Sequence, residues 1–192
     1  MKNLLLFLFL IAGQNCISQA TIVVEDVELP LVLKLKINDF KTKLVLNGSG
    51  VRTKFFISLY VEALYLKEKN SDANAILNSR DPMAVRLHLT SALVTNKKII
   101  EAITNGIKKT CTNNCTAAQL KMDQMIAFFT NELKPDDFID LIYNPDDDVT
   151  IVNLNNVTIG QVPGFDFKRA LFGIWLEEKP VNKALKNRLL GL

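Results

Sequence analysis

Residue types that mark specialised classes of protein are scarce in this chain. Among its 192 residues are three cysteines, one histidine, eight glycines and six prolines. The low glycine and proline content excludes collagen-like and low-complexity chains, and 48% hydrophobic against 22% charged residues excludes an intrinsically disordered one. Because 23 basic side chains are matched by 20 acidic ones, no excess of positive charge points to nucleic acid as a partner. What remains is one domain that is long enough to bury a substantial core.

Motifs for nucleotide, cofactor and hydrolase chemistry are also missing. No Gly-x-Gly-x-x-Gly or phosphate-binding loop opens a helix, and no Gly-x-Ser-x-Gly elbow occurs. A Ser-His-Asp triad would need His88, which shares the polar face of a predicted strand with Arg86 and Thr90, so we interpret His88 as a surface or cleft residue. Three aspartates at 146–148 lack the alternating ligands and central glycine of a calcium loop and indicate a solvated turn. We expect no cofactor, prosthetic group or metal.

The first twenty residues are typical of a signal peptide. Lys2 gives a basic start, residues 4–12 are an unbroken apolar run, and a Ser-Gln-Ala cleavage site ends at Ala20. The apolar run is too short to span a bilayer, which takes about 20 residues. We therefore predict an exported, periplasmic protein that is cleaved near Ala20. Residues 21–192 would form the mature domain, with no stable membrane insertion.

Export changes the interpretation of the cysteines. Loss of Cys16 would leave Cys111 and Cys115, an even pair in an oxidising compartment. Their spacing is one residue longer than in a Cys-x-x-Cys redox motif, and a zinc site would need two further ligands. We predict a local structural disulfide between Cys111 and Cys115.

Hydrophobic periodicity predicts strands and helices in alternating groups. The Asn-Gly-Ser-Gly sequence at 47–50 is typical of a turn between the predicted strands at 43–46 and 51–66. The predicted strands cover 31–38, 43–46, 51–66, 84–92, 138–143, 149–153 and 157–162, and the predicted helices cover 72–78, 96–109, 117–133, 165–177 and 180–190. This order predicts an α+β fold, a mostly antiparallel sheet with helices packed on one side.

Residues 46–66 are the most distinctive segment. On an unbroken strand, even spacing would place six polar and aromatic side chains on one face: Arg52, Lys54, Phe56, Ser58, Tyr60 and Glu62. An arginine fits a carboxylate with two prongs and a tyrosine hydroxyl adds a third donor, which suits an amphipathic ligand with an anionic head. The other interpretation is a solvent-exposed face with an ordinary Arg–Glu ion pair.

The same segment resembles a known family. The Gly-Val-Arg-Thr-Lys-Phe-Phe sequence at 50–56, the Leu-Tyr-Val-Glu-Ala-Leu-Tyr-Leu strand at 59–66 and the Phe-Asp-Phe-Lys-Arg-Ala-Leu-Phe-Gly-Ile-Trp helix from 165 are similar to the chalcone isomerase-like family, most of all its exported bacterial branch. The resemblance runs from about Val27 to Leu190. It implies an open-faced β-sandwich, in which helices are layered over one side of a large antiparallel sheet with a cleft between.

The resemblance also implies roles for individual residues. Arg52 matches the arginine that faces the ligand in the plant enzymes of the family, and Tyr60 takes the position of their threonine. In related plastid fatty-acid-binding proteins, an arginine and a tyrosine at these positions hold the fatty-acid carboxylate. The enzymes' further tyrosine and asparagine correspond to Val94 and Glu101 here, which argues against efficient flavanone formation.

Geometry adds a condition to this shared site. Eight residues of straight strand cover about 26 Å, too far for Arg52 and Tyr60 to meet one carboxylate. We therefore predict a bend, bulge or hairpin near Thr53 to Phe55.

Three functions are compatible with these observations. The first is binding of a fatty acid or similar amphipathic carboxylate through Arg52 and Tyr60, with Ser58, His88 and the phenylalanine-rich segment as further wall residues. The second is an intramolecular lyase or isomerase acting on an enone or phenolic substrate, in which Arg52 stabilises an oxyanion and Tyr60 is the acid. The third is a non-catalytic interaction module with an empty or occluded cleft. We favour the first, in which the protein is not an enzyme.

Overall fold

Nine antiparallel strands and five helices make up the computed structural model, which describes residues 20–110 and 115–192. The strands are β1 (Thr21–Val24), β2 (Val27–Pro30), β3 (Val32–Ile37), β4 (Phe40–Lys54), β5 (Ile57–Leu66), β6 (Met83–Leu89), β7 (Phe138–Asn144), β8 (Val149–Leu154) and β9 (Val157–Pro163). The helices are α1 (Ala73–Asn78), α2 (Asn96–Thr110), α3 (Cys115–Ile126), α4 (Phe165–Leu176) and α5 (Lys183–Leu189). Strands β3 to β9 form one sheet in which each strand pairs with the next along the chain, and β1 and β2 form a separate hairpin.

Alternation along the strands separates two cores on the two faces of the sheet. In β5, Leu64 and Leu66 belong to the larger core, which is shared with helical residues such as Met122 and Leu171. The intervening residues Val61, Ala63 and Tyr65 belong to a second core, to which β2 contributes Val27 and Leu29. Helices therefore cover one face of an antiparallel sheet and the β1–β2 hairpin packs on the other. The predicted α+β fold, with the helix layer on one side, is confirmed.

The turn predicted at 47–50 is wrong, because this sequence lies inside β4. A side chain at Gly48 would clash with the carbonyl oxygen of Arg188, so this glycine permits a close approach of the α5 backbone rather than a turn. Asn47 is equally structural: its Nδ2 donates to the carbonyl oxygens of Leu189 and Asn70 at 2.8 and 2.9 Å. Both residues hold the end of the chain against the sheet.

Two further differences concern element boundaries. The helix predicted over 117–133 ends at Ile126, because the chain turns there and the Asn96 side chain donates to the carbonyl oxygen of Phe129 at 3.3 Å. The last helix begins at Lys183 rather than at 180. The β1–β2 hairpin has no counterpart among the predicted elements.

Several predictions fall on parts of the chain that are not described. The signal sequence at 1–19, Cys111 and the side chain of Cys115 lie outside the described residues. Signal cleavage and the disulfide therefore stay predictions. Within the described ranges, no helix has the length and apolar character needed to cross a membrane.

Candidate functional site

A hairpin between β4 and β5 brings the two predicted headgroup residues together. Its turn consists of only two residues, Phe55 and Phe56, and Arg52 and Tyr60 are direct cross-strand partners. The register shifts by one residue between Arg52 and Thr53, and such a β-bulge bends the strand and redirects its side chains. The predicted break near Thr53 to Phe55 is confirmed. The residues from Arg52 to Glu62 do not share one face of an unbroken strand, because the chain reverses direction at Phe55-Phe56. The arrangement considered from the sequence is wrong in this respect.

Arg52 and Tyr60 line a cavity of about 540 Å³ on the helix side of the sheet. The cavity lies between the β4–β5 hairpin, β6, α2 and α4, and its volume is in the range of small-molecule sites. Most of its wall is apolar and includes Leu59, Leu87, Leu89, Ile99, Ile103 and Ile174. This combination of an apolar wall with a few polar groups suits an amphipathic molecule.

Tyr60 presents a neutral hydroxyl whose own proton is free for a ligand. Trp175 Nε1 donates to the Tyr60 oxygen at 3.3 Å, so the hydroxyl accepts from the helix layer. Burial raises the pKa of Tyr60 above its usual value, and the neighbouring Glu62 carboxyl adds to the effect. The hydrogen bond from Trp175, the charge of Arg52 and a side-chain hydrogen bond with Arg52 offset only part of this rise in pKa. A neutral tyrosine with its oxygen already hydrogen-bonded is a good donor to an anionic headgroup.

Glu62 is fully buried two residues further along β5, and neither of its carboxyl oxygens has a hydrogen-bond partner among the described residues. Burial raises its pKa well above the usual range, and the positive charge of Arg52 only partly opposes this. Burial without hydrogen-bond partners favours the neutral form of a carboxyl. In that form Glu62 does not neutralise the positive charge of Arg52.

Arg52 makes few contacts with the described residues. Its Nη1 donates to the carbonyl oxygen of Thr53 at 3.3 Å and its side chain hydrogen-bonds the Tyr60 hydroxyl, so its five N–H donors are not all used. Among the described residues, no carboxylate lies within ion-pair distance of it. The ordinary Arg–Glu pair considered from the sequence is thus absent from this described region, and the guanidinium can accept an external anion.

Ser58 and His88 are not brought to the cavity. Ser58 pairs with Thr53 near the end of the hairpin and is not among the cavity-lining residues. Along β6 the neighbours of His88, Leu87 and Leu89, line the cavity, so His88 points to the other face of the sheet. There its ring stacks on Phe138 at a centroid distance of 6.3 Å. The prediction of both residues as wall candidates is corrected for this reason.

The helix layer contributes residues that the sequence did not single out. Trp175 comes from α4, and Lys98, Glu101 and Asn105 line the cavity from α2. The resemblance aligned Val94 and Glu101 with two site residues of the plant enzymes. Glu101 does line the cavity, whereas Val94 is buried in the larger core. For Trp175, the signal in the sequence was that the chain's single tryptophan lies on a predicted amphipathic helix. Its hydrogen-bond partner Tyr60 could not be identified from the sequence.

The described residues contain no group of three or more histidine, cysteine, aspartate or glutamate side chains with the arrangement of a metal site. Two of the aspartates at 146–148 accept hydrogen bonds from the neighbouring end of β7. Asp148 accepts from the Tyr143 hydroxyl at 2.8 Å, and Asp147 accepts from Asn144 Nδ2 at 3.0 Å.

Comparison with known proteins agrees with this architecture. The profile of the family described as chalcone isomerase-like matches residues 22–191. The crystal structure of a fatty-acid binding protein from Arabidopsis thaliana is similar, with a TM-score of 0.68 and 16% sequence identity over 89% of this chain and 96% of the plant chain. At this identity the likeness shows the shared fold, and none of the curated proteins compared with the chain matches it. The chain belongs to the chalcone isomerase-like family.

Proposed function

We propose that the protein binds a fatty acid or a similar amphipathic carboxylate, with the headgroup held by Arg52 and Tyr60. The observation that carries the proposal is their cross-strand pairing at the wall of an apolar cavity, with an arginine that no described carboxylate neutralises. Two N–H donors of Arg52 and the Tyr60 hydroxyl supply three hydrogen bonds to one carboxylate. The neutral state of Glu62 supports the same assignment, because it avoids repulsion between two carboxylates.

The apolar wall is the second part of the proposal. An acyl chain that extends from the headgroup toward Leu87, Ile99 and Ile174 would bury its methylenes. Each buried methylene contributes about 0.8 kcal/mol, or about a fourfold gain in affinity. We expect affinity to rise with chain length by this factor until the cavity is filled and then to level off.

The proposed location is the periplasm. The basic start, apolar run and cleavage site that end at Ala20 support export, as in the bacterial branch that the sequence resembles. A periplasmic carrier would keep a sparingly soluble carboxylate dispersed in water between membranes.

The catalytic alternative uses the same residues. A neutral Tyr60 beside the positive charge of Arg52 would also stabilise an oxyanion on an enone substrate. The open cavity favours either of these functions over an interaction module, which needs no cavity reaching Arg52. A chalcone cyclisation assay separates the two, since only the enzyme would turn over.

Native mass spectrometry of the purified protein, with organic extraction of bound lipid, tests the proposal directly. The parent should carry a fatty acid, and Arg52→Ala should lose it, because loss of two charge-assisted hydrogen bonds weakens binding by about 100-fold or more. Arg80→Ala is the matched control, since Arg80 is a largely exposed arginine remote from the cavity lining. A parent that binds no added fatty acid, or an Arg52→Ala variant that binds as well as the parent, would refute the assignment.

A further inference from the structure

The mouth of the cavity carries an exposed apolar patch. Phe55 and Phe56 are 83% and 103% exposed, and Ile57 and Leu93 are 41% and 47% exposed. We call these four residues the mouth patch. Phe55, Ile57 and Leu93 also line the cavity, so the patch is continuous with the proposed ligand site. Clustered apolar exposure beside a cavity marks an interaction surface.

The two residues of the β4–β5 turn, Phe55 and Phe56, form the tip of the hairpin. Their backbone conformation does not favour phenylalanine, so the stability of the fold does not explain why phenylalanines stand there. Both have positive φ angles, 50° and 63°, as in the hairpin turns that favour Asn-Gly. Bulky side chains are disfavoured in this left-handed region. The other two-residue hairpin turns of the described sheets use polar residues at the same positions: Glu25-Asp26, Asn38-Asp39 and Asn155-Asn156. Of the two-residue hairpin turns in the described sheets, only the one at the cavity mouth carries two aromatic rings, at a local conformational cost, and a function explains their presence.

The charges around the mouth are mainly positive. The cavity lining contains three cations, Arg52, Lys54 and Lys98, and one carboxylate, Glu101. The Lys54 ammonium lies 5.6 Å from the centre of the Phe55 ring, directly beside the tip. Exposed aromatic rings flanked by lysines are the combination that anionic lipid surfaces attract, because the rings enter the interface while the lysines pair with headgroups.

We propose that the mouth patch docks on an anionic phospholipid bilayer, so that the cavity opens directly onto the membrane surface. The two rings would enter the acyl–headgroup boundary, and Lys54 and Lys98 would lie at the headgroup level. The shape of the patch favours a bilayer over a protein: a two-residue tip is narrow, whereas a stable protein interface covers about 800 Å² on each partner. The choice of a fatty acid as the molecule transferred rests on the proposed function, but the docking itself does not.

Vesicle flotation tests the docking. Parent and variants are mixed with vesicles of phosphatidylcholine alone or of equal parts phosphatidylcholine and phosphatidylglycerol; all proteins share the same N terminus, so its contribution cancels. The parent should float with the anionic vesicles, and Phe56→Gly should bind about tenfold less. Phe56 does not line the cavity, and glycine suits its positive φ, so the thermal unfolding midpoint should stay unchanged or rise. Lys54→Ala should weaken binding about fivefold.

Val157→Ser is the matched control for loss of an exposed apolar side chain. Val157 is 64% exposed and directly follows the Asn155-Asn156 turn, as Ile57 follows the tip. This variant should float like the parent. Equal binding of Phe56→Gly and the parent to anionic vesicles would overturn the proposal, and so would equal binding of the parent to neutral and anionic vesicles. The proposal would also be overturned, in favour of a protein partner, by a different result. In that case the parent binds no vesicles but copurifies with another protein at a fixed stoichiometry, and Phe56→Gly does not.

Failure of the docking and failure of the proposed function are distinguishable. Arg52→Ala should still float with anionic vesicles while it loses the fatty acid. Phe56→Gly should keep its affinity for a soluble medium-chain fatty acid while it loses the vesicles. If Arg52→Ala loses both, the fatty acid and the vesicle share one site and the docking proposal is refuted.

Discussion

Replacing Glu62 by glutamine should remove a pH dependence from the stability of the protein. Glu62 is fully buried with neither carboxyl oxygen hydrogen-bonded within the described structure, and burial raises its pKa well above the value of 4.5 expected in the unfolded chain. Above pH 4.5 the unfolded state loses this proton while the native state keeps it. The native state then binds more protons, so the free energy of unfolding falls as the pH rises, until the native pKa is reached.

The size of the effect follows from proton linkage. One proton of difference changes the free energy of unfolding by about 1.4 kcal/mol per pH unit. Over any range in which Glu62 stays protonated in the folded protein, the free energy of unfolding of the parent should fall by about this slope relative to Glu62→Gln, roughly 2 to 3 kcal/mol from pH 5 to pH 7. Glutamine keeps the shape of the side chain and does not ionise, so the other titrating groups cancel in the comparison.

Urea unfolding of parent and variant at pH 5, 6 and 7 measures this difference. Glu28→Gln, which removes an exposed carboxyl from β2, should follow the parent at each pH. A stability difference between parent and Glu62→Gln that does not change with pH would refute the reasoning. It would mean that Arg52 compensates the buried charge and that Glu62 ionises normally in the folded protein.

Three further predictions test the site and its support. Tyr60→Phe should weaken fatty-acid binding about tenfold in calorimetric titrations, because one charge-assisted hydrogen bond is lost, and unchanged affinity would remove the hydroxyl from the headgroup site. Lys168→Met should lower the free energy of unfolding, measured with urea, by about 3 kcal/mol. The reason is that the buried Lys168 ammonium donates to three carbonyl oxygens at the end of α1 at 2.8–3.1 Å. A decrease below about 1 kcal/mol would contradict this role. Gly48→Ala should lower the free energy of unfolding by about 3 kcal/mol, because the added methyl group meets backbone atoms. In Gly50→Ala the methyl group meets only side-chain atoms, so the decrease should be about 1 kcal/mol. Equal decreases would contradict this explanation.

The periodic elements were predictable because their pattern is local. Period-two alternation located β6 to β9 to within a few residues, and the helix predicted over 72–78 matches α1, which Asp72 caps in the structure. The turn assigned to 47–50 failed for a physical reason: glycine permits both turns and close backbone approach, and only the position of α5 reveals which applies at Gly48.

Part of the site was also predictable. Arg52 and Tyr60 stood out by residue type and by resemblance, and the need to bring them together implied a reversal between them. The reversal itself left no ordinary signal, since Phe55-Phe56 lacks the turn-forming residues of the chain's other tight hairpins. His88 was misassigned because its strand was read without knowing which face the helices cover.

The sequence by itself determined the α+β class, the order of the strand and helix groups after the β1–β2 hairpin, and the two residues with the chemistry to hold a carboxylate. The tertiary structure decided how those residues are used. It paired Arg52 with Tyr60, buried Glu62 with no hydrogen-bond partner among the described residues, closed the cavity with Trp175 from α4 and left the aromatic tip exposed at its mouth. The burial of Glu62 and the contact of Trp175 with Tyr60 depend on segments far apart in the chain, whose burial and electrostatics no local pattern records.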